Sequence, residues 1–231
     1  MMLDITRIKA ISLDLDDTLW PIWPAIERAE KVLQEWLIEN TPMAAALFSS
    51  PSALREVREH MAASRPDLRS DLSSLRRESI RLALYRAGEN PLLADAAFEV
   101  FFAERQRVIL FEDAQPSLEF LAARFPLVSI SNGNADLERV GLASYFRASI
   151  SAREFGVGKP DPRIFHAAAG AVDLLPENLL HVGDDATLDA LGALNAGMQA
   201  AWINRADHPW PHEAQPQVTL TNLTELCELF K

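Results

Sequence analysis

Cysteine is almost missing from this chain. Cys227 is the only one in 231 residues, which excludes an intrachain disulfide and any cysteine-built metal cage. Long apolar runs are missing too. None approaches the roughly 20 residues of a membrane span. The amino terminus carries Asp4, Arg7 and Lys9 before its first apolar strand, so it lacks the apolar stretch of a secretory leader. A reducing cytoplasm is the expected compartment. Positive charge is in deficit, with 22 Lys and Arg against 33 Asp and Glu and a formal net charge of −11. That balance argues against non-specific binding to nucleic acid. It leaves room for a local positive site that holds a small anion. No repeat or low-complexity segment stands out. His60, His166, His208 and His212 have no metal-ligand spacing. His181 lies inside an apolar run and reads as a packed core residue.

What is present is enough for a substantial core. A chain of this length buries about 70–75 % of its unfolded surface, and hydrophobic residues make up 48 % of it. Ala10–Leu13, Leu127–Ile130, Ala148–Ser151, Leu179–Val182 and Gln199–Ile203 read as strands, with helices between the later ones. Examples are Pro162 to Ala169 and Thr187 to Ala196. That alternation predicts a parallel sheet with helices on both faces, an α/β fold that binds ligands at the carboxyl ends of its strands. Residues 20–108 differ. They lack strand-like runs and read as helices. Pro24 is expected to open one, with Ile26, Ala29, Leu33, Trp36 and Leu37 on one face. Gly88 is expected to end another and Asn90-Pro91 to begin the next.

The chemistry is concentrated at four strand ends. Asp14-Leu15-Asp16-Asp17-Thr18 brings three carboxylates to the first. So much negative charge is unfavourable without a cation, and a hard divalent ion such as Mg²⁺ is the natural partner. A calcium loop would need Gly and Glu where this chain has Leu19 and Ala25. A plain polar turn is the bland alternative. Ser131-Asn132-Gly133-Asn134 ends a second strand and offers a hydroxyl and backbone N–H groups to an anion. The bland alternative here is an Asn-Gly turn. Gly156-Val157-Gly158-Lys159-Pro160-Asp161-Pro162 holds a lysine in a stiffened loop, a plausible phosphate clamp or an ordinary solvated lysine. His181-Val182-Gly183-Asp184-Asp185, followed by Asp189, is the fourth. Asp184 suits a direct metal ligand there, while Asp185 and Asp189 suit groups that orient waters or Lys159.

Taken in this order, the four segments resemble the motifs of the haloacid dehalogenase superfamily, and the resemblance covers nearly the whole chain. It implies a Rossmann-like doubly wound core and a Mg²⁺ ion. The ion would be held by Asp14, the backbone carbonyl of Asp16, and Asp184. It further implies an aspartyl-phosphate formed on Asp14. Ser131, Asn132, Gly133 and Lys159 would bind the phosphoryl oxygens, Asp16 would serve as acid and base, and Thr18, Asp185 and Asp189 would support these groups. The helical stretch matches the cap type inserted after the first motif. The implied organisation is a catalytic core of residues 1–19 and 109–231 and an all-helical cap domain of residues 20–108. Trp20-Pro21-Ile22-Trp23-Pro24 becomes a hinge candidate, with packing of at least one tryptophan as the plainer expectation.

Dehalogenases of this fold replace the acid at position 16 by a residue without a carboxyl group. Asp16 therefore implies a phosphatase acting on a small phosphorylated metabolite. A mutase would share the intermediate. A two-component receiver or a silent binding protein is the alternative of another class, but receivers have no helical insert. Leu13 to Leu19, Ile130 to Asn134, and His181 to Asp185 with Gly197-Met198-Gln199-Ala200 resemble bacterial flavin-mononucleotide-type phosphatases. These act on FMN and on the phosphorylated ribitylaminouracil of riboflavin synthesis. Their lysine motif is Ser-Lys-Pro, whereas this chain has Gly158-Lys159-Pro160.

Overall fold

The computed structural model describes residues 3–231. The chain divides into two compact units, Met1–Pro21 with Ile109–Lys231, and Ile22–Val108. The first is built on a six-stranded sheet of β1 (Ala10–Leu13), β2 (Leu127–Ser131), β3 (Ala148–Ser151), β4 (Leu179–Gly183), β5 (Gln199–Ile203) and β6 (Val218–Leu220). Their order is β3-β2-β1-β4-β5-β6 and every pairing is parallel. β1, β2 and β4 are buried along their whole length, which is why they read as continuous apolar runs rather than alternating ones. On one side Val128, Ile130, Leu179 and Ala200 pack with Ile164, Phe165 and Ala168 of the Pro162–Gly170 helix. Fully burying a side chain such as Phe165 contributes about 1.5–3 kcal/mol. The order reverses direction around β1, so β2 and β4 flank it. The crevice outside such a switch point is where open α/β sheets bind ligands.

Two local expectations are corrected, and one strand is additional: β6 is not among the apolar runs expected as strands, because three residues after Pro216 give too short a pattern. The helix expected over Thr187 to Ala196 is a π turn, Ala186–Leu191, followed by a short α segment, Gly192–Asn195. The helix expected to open at Pro24 starts at Ile22. Pro24 sits in its first turn, where a missing N–H breaks no bond.

The second unit consists of helices and short 3₁₀ turns, with no strand among the described residues. Ile22–Asn40 buries Ala29, Leu33 and Leu37 against Ile80, Leu84, Phe98 and Phe101, with Ile26 and Trp36 at the margin. Gly88, at φ +73°, follows the Leu72–Arg86 helix in the left-handed conformation that favours glycine. Asn90 caps the next turn by accepting the Leu92 N–H at 3.0 Å. Several of its arginines are paired. Arg55, Arg58 and Arg76 each lie 3.6 Å from Glu30, Arg65 bonds Asp67, and Arg77 and Arg81 reach Asp95.

Candidate active site

Asp14 follows the last residue of β1, and its backbone N–H continues the ladder to Val182 of β4 at 2.9 Å. Asp184 follows β4. Lys159 reaches the same place from a loop, and its side chain is 2 % exposed. Its ammonium contacts Asp14 Oδ1 and lies 2.5 Å from Asp189 Oδ1. One carboxylate oxygen from each of Asp14, Asp184 and Asp189 lies within 4.8 Å of the others. Residues far apart in the chain thus converge at one strand-end site.

The π turn explains how Asp189 joins them. The Asp185 carbonyl accepts both the Asp189 N–H, at 3.0 Å, and the Ala190 N–H, at 3.2 Å. The wider turn carries the Asp189 carboxyl back under Gly183. A Cβ on Gly183 would meet that carboxyl at 2.3 Å, so glycine is required there. Asp189 then accepts from Lys159, from the Asp185 N–H at 3.0 Å, and from His181 Nε2 at 3.3 Å. His181 Nδ1 in turn lies 2.9 Å from Ser12 Oγ. His181 is packed in the core, as expected, but it also braces this network.

The electrostatics are lopsided. Burial pushes Asp14 well above the ordinary carboxylate range; Lys159 opposes the shift, and Asp189 and Asp184 add to it. Burial, with Asp189 beside it, raises Asp184 to about 7. Burial would raise Asp189 as well, but Lys159 and His181 outweigh it and hold it low. Lys159 stays charged, since Asp14 and Asp189 outweigh the effect of its burial. One ammonium therefore serves three clustered carboxylates. An all-oxygen donor set with surplus negative charge fits Mg²⁺. Asp189 is already engaged on both oxygens, which leaves Asp14 and Asp184 as the better donors.

The other expected residues sit close by. Thr18, fully buried, donates to Asp184 Oδ1 at 3.0 Å. Trp202 Nε1 donates to the Asp184 carbonyl at 2.7 Å. Ser131 ends β2, and its Oγ accepts the Gly133 N–H at 3.0 Å. A Cβ on Gly133 would lie 2.3 Å from Asp16 Oδ2, so the first and second motifs touch. Asn132 uses its side chain in a way the sequence did not suggest. Its Oδ1 accepts the Lys159 N–H at 2.7 Å, and its Nδ2 donates to the Lys159 carbonyl at 2.8 Å. Asp185 is exposed and instead accepts the Thr187 and Leu188 N–H groups, both at 2.8 Å. Trp20, fully buried, donates its indole N–H to Asp16 Oδ1 at 2.8 Å. No local pattern around Trp20 signals this bond.

A doubly wound parallel sheet with an acidic, lysine-bearing strand-end site defines an α/β enzyme. The chain belongs to the haloacid dehalogenase-like hydrolase family, whose model matches residues 8–197. It is 33 % identical to 5-amino-6-(5-phospho-D-ribitylamino)uracil phosphatase YigB of Escherichia coli (strain K12), over 97 % of each chain. It is 37 % identical to the phosphoserine phosphatase of Thermus thermophilus, over 65 % of this chain and 63 % of that one. The crystal structure of 2-haloacid dehalogenase from Pseudomonas syringae pv. Tomato DC3000 has a TM-score of 0.90. It is 39 % identical and covers 96 % of this chain and 98 % of that one. Among the described residues no helix is long and apolar enough to cross a membrane.

Proposed function

We propose that this enzyme, a phosphatase of its superfamily, hydrolyses phosphomonoesters of small metabolites through an aspartyl-phosphate on Asp14. The observation that carries the reading is the Lys159 ammonium bridging Asp14 and Asp189 inside an acidic cluster. Asp14 is the nucleophile. Lys159, already in contact with Asp14, neutralises phosphoryl oxygens bound there, together with the Ser131 hydroxyl and the Asn132 N–H, while Gly133 keeps the turn close by donating its own N–H to Ser131 Oγ. Asp14, Asp184 and the Asp16 carbonyl would hold Mg²⁺. When bound, the ion screens the repulsion between carboxylate and phosphoryl group. Thr18 and Asp189 orient Asp184 and Lys159.

In the first half-reaction an Asp14 oxygen bonds to phosphorus. The bond from phosphorus to the ester oxygen breaks, and Asp16 gives that oxygen its proton. In the second, Asp16 takes a proton from water, whose oxygen attacks phosphorus and releases Asp14 and inorganic phosphate. Splitting one step into two is covalent catalysis. Acid–base help contributes about 10²–10⁴, so charge neutralisation and positioning supply most of the acceleration.

The structure at 39 % identity is that of a 2-haloacid dehalogenase. Asp16 favours ester hydrolysis in this chain, because a leaving alkoxide needs a proton and a halide does not. The full-length similarity to the ribitylaminouracil phosphatase supports that phosphate ester, or FMN, as the first substrate to try. The helical stretch expected over residues 20–108, whose compact unit starts at Ile22 so that Trp20 and Pro21 fall with the sheet, is proposed as the cap that selects it, and the cytoplasm as the compartment. The test is a panel of phosphorylated metabolites with Mg²⁺, read as kcat/KM. Asp14→Asn should abolish phosphate release and stay folded.

A further inference from the structure

Trp20 is fully buried, and its indole N–H is a donor that needs a partner once out of water. Asp16 Oδ1 supplies one at 2.8 Å. The backbone fixes this pairing. The Asp17 N–H donates to the Trp20 carbonyl at 2.7 Å, the Leu19 N–H donates to the Leu15 carbonyl at 2.8 Å, and Asp17 takes φ +61°. The segment from Leu15 to Trp20 is therefore folded back on itself, with the indole set against the carboxylate.

The other oxygen faces elsewhere. A Cβ on Gly133 would lie 2.3 Å from Asp16 Oδ2 and 3.2 Å from Ser131 Oγ. Oδ2 is thus presented to the segment assigned above to the phosphoryl group. A carboxylate rotates in a broad, two-fold torsional well unless one oxygen is held.

We propose that Trp20 is the positioning residue of the acid–base group. Its N–H anchors Oδ1 and keeps Oδ2 on the side of Ser131 and Gly133, where the proposed mechanism puts the ester oxygen. The inference rests on the assignment of Asp16 made above. The proton moves from Asp16 to the ester oxygen as that oxygen leaves phosphorus, and returns from water in the second half-reaction. The indole keeps its own proton throughout. Its effect should appear where leaving-group protonation limits the rate, and vanish where the leaving group departs unaided.

The experiment compares wild type, Trp20→Phe, Asp16→Asn and the double variant on a series of aryl phosphates from phenyl to p-nitrophenyl, with Mg²⁺. Trp20→Phe removes the N–H and keeps an aromatic ring. The dependence of rate on leaving group does not change with the fraction of folded enzyme. Trp20→Leu is read in the same way if Trp20→Phe yields no folded protein. A hydrogen bond to a charged group is worth about tenfold to a hundredfold. Trp20→Phe should therefore lose about that much on phenyl phosphate and less than about threefold on p-nitrophenyl phosphate. The double variant should be no slower than Asp16→Asn. An equal loss on every ester, full additivity in the double variant, or misfolding of both Trp20 variants would overturn the proposal. If Asp16→Asn itself keeps the wild-type leaving-group dependence, the acid–base assignment fails instead.

Discussion

Asn132 and Lys159 hold each other by both backbone polar groups of the lysine. Asn132 accepts the Lys159 N–H at 2.7 Å and donates to its carbonyl at 2.8 Å. The amide thus fixes the lysine's backbone while the ammonium is fixed by Asp14 and Asp189. Two bonds of about 0.5–1.5 kcal/mol each are at stake. Asn132→Ala should cut kcat by about tenfold or more, with a modest drop in melting temperature. Steady-state kinetics and thermal melts check it. Wild-type kcat would show that the lysine loop holds itself.

Gly133 and Gly170 form a matched pair. A methyl on Gly133 would meet Asp16 Oδ2 at 2.3 Å, whereas one on Gly170 meets nothing within 4 Å. Gly133→Ala should lower turnover more than tenfold by displacing the Asp16 carboxyl. Gly170→Ala, in the Pro162–Gly170 helix, should leave turnover unchanged and stabilise by about 0.5–1 kcal/mol. Parallel assays of the two variants separate crowding at the site from a general effect of added bulk.

Asp184 and Asp189 should respond to neutralisation in opposite ways. Asp184 is held near 7 by burial and by the Asp189 charge, so Asp184→Asn should leave the metal-free protein as stable or more stable while abolishing Mg²⁺-dependent activity. Asp189 carries the ion pair to Lys159. Breaking such a buried pair costs about 3–5 kcal/mol. Asp189→Asn should therefore melt well below wild type. Denaturant titrations of the metal-free variants test the contrast.

Protons should compete with Mg²⁺. A carboxyl whose folded value is raised, as for Asp184 at about 7, contributes stability that is present below its unfolded value and is lost as pH rises through the folded value. The metal-free protein should lose that contribution between about pH 4 and 7. Mg²⁺ binds the ionised form and compensates for the loss. The rise in melting temperature on adding Mg²⁺ should be larger at pH 8 than at pH 5.5. Equal rises would mean that these carboxylates do not hold the ion.

Much of this was legible because the elements concerned are locally determined. β1, β3 and β5 fall where the apolar runs put them, and β2 and β4 extend one residue further to take in Ser131 and Gly183. The Asn90 cap and the Gly88 terminus follow from side-chain and backbone chemistry alone. What sequence could not give depends on atoms brought together by folding. The bracing of Asp189 by His181 spans two elements and a π turn that no periodicity announces. The Asn132-Gly133 pattern points to backbone N–H groups, while the Asn132 amide acts across 27 residues. Trp20 acts over only four residues, but through a fold-back that leaves no pattern in the sequence.

In the proposed mechanism Asp14 carries the phosphoryl group. Enzyme mixed with Mg²⁺ and p-nitrophenyl phosphate, acid-quenched during turnover and mapped by peptide mass spectrometry, tests it directly. We expect an acid-trapped phosphoryl group on the peptide containing Asp14 and none in Asp14→Asn, which should also release no phosphate. A phosphoryl group found elsewhere, or undiminished turnover by Asp14→Asn, would remove Asp14 as the nucleophile.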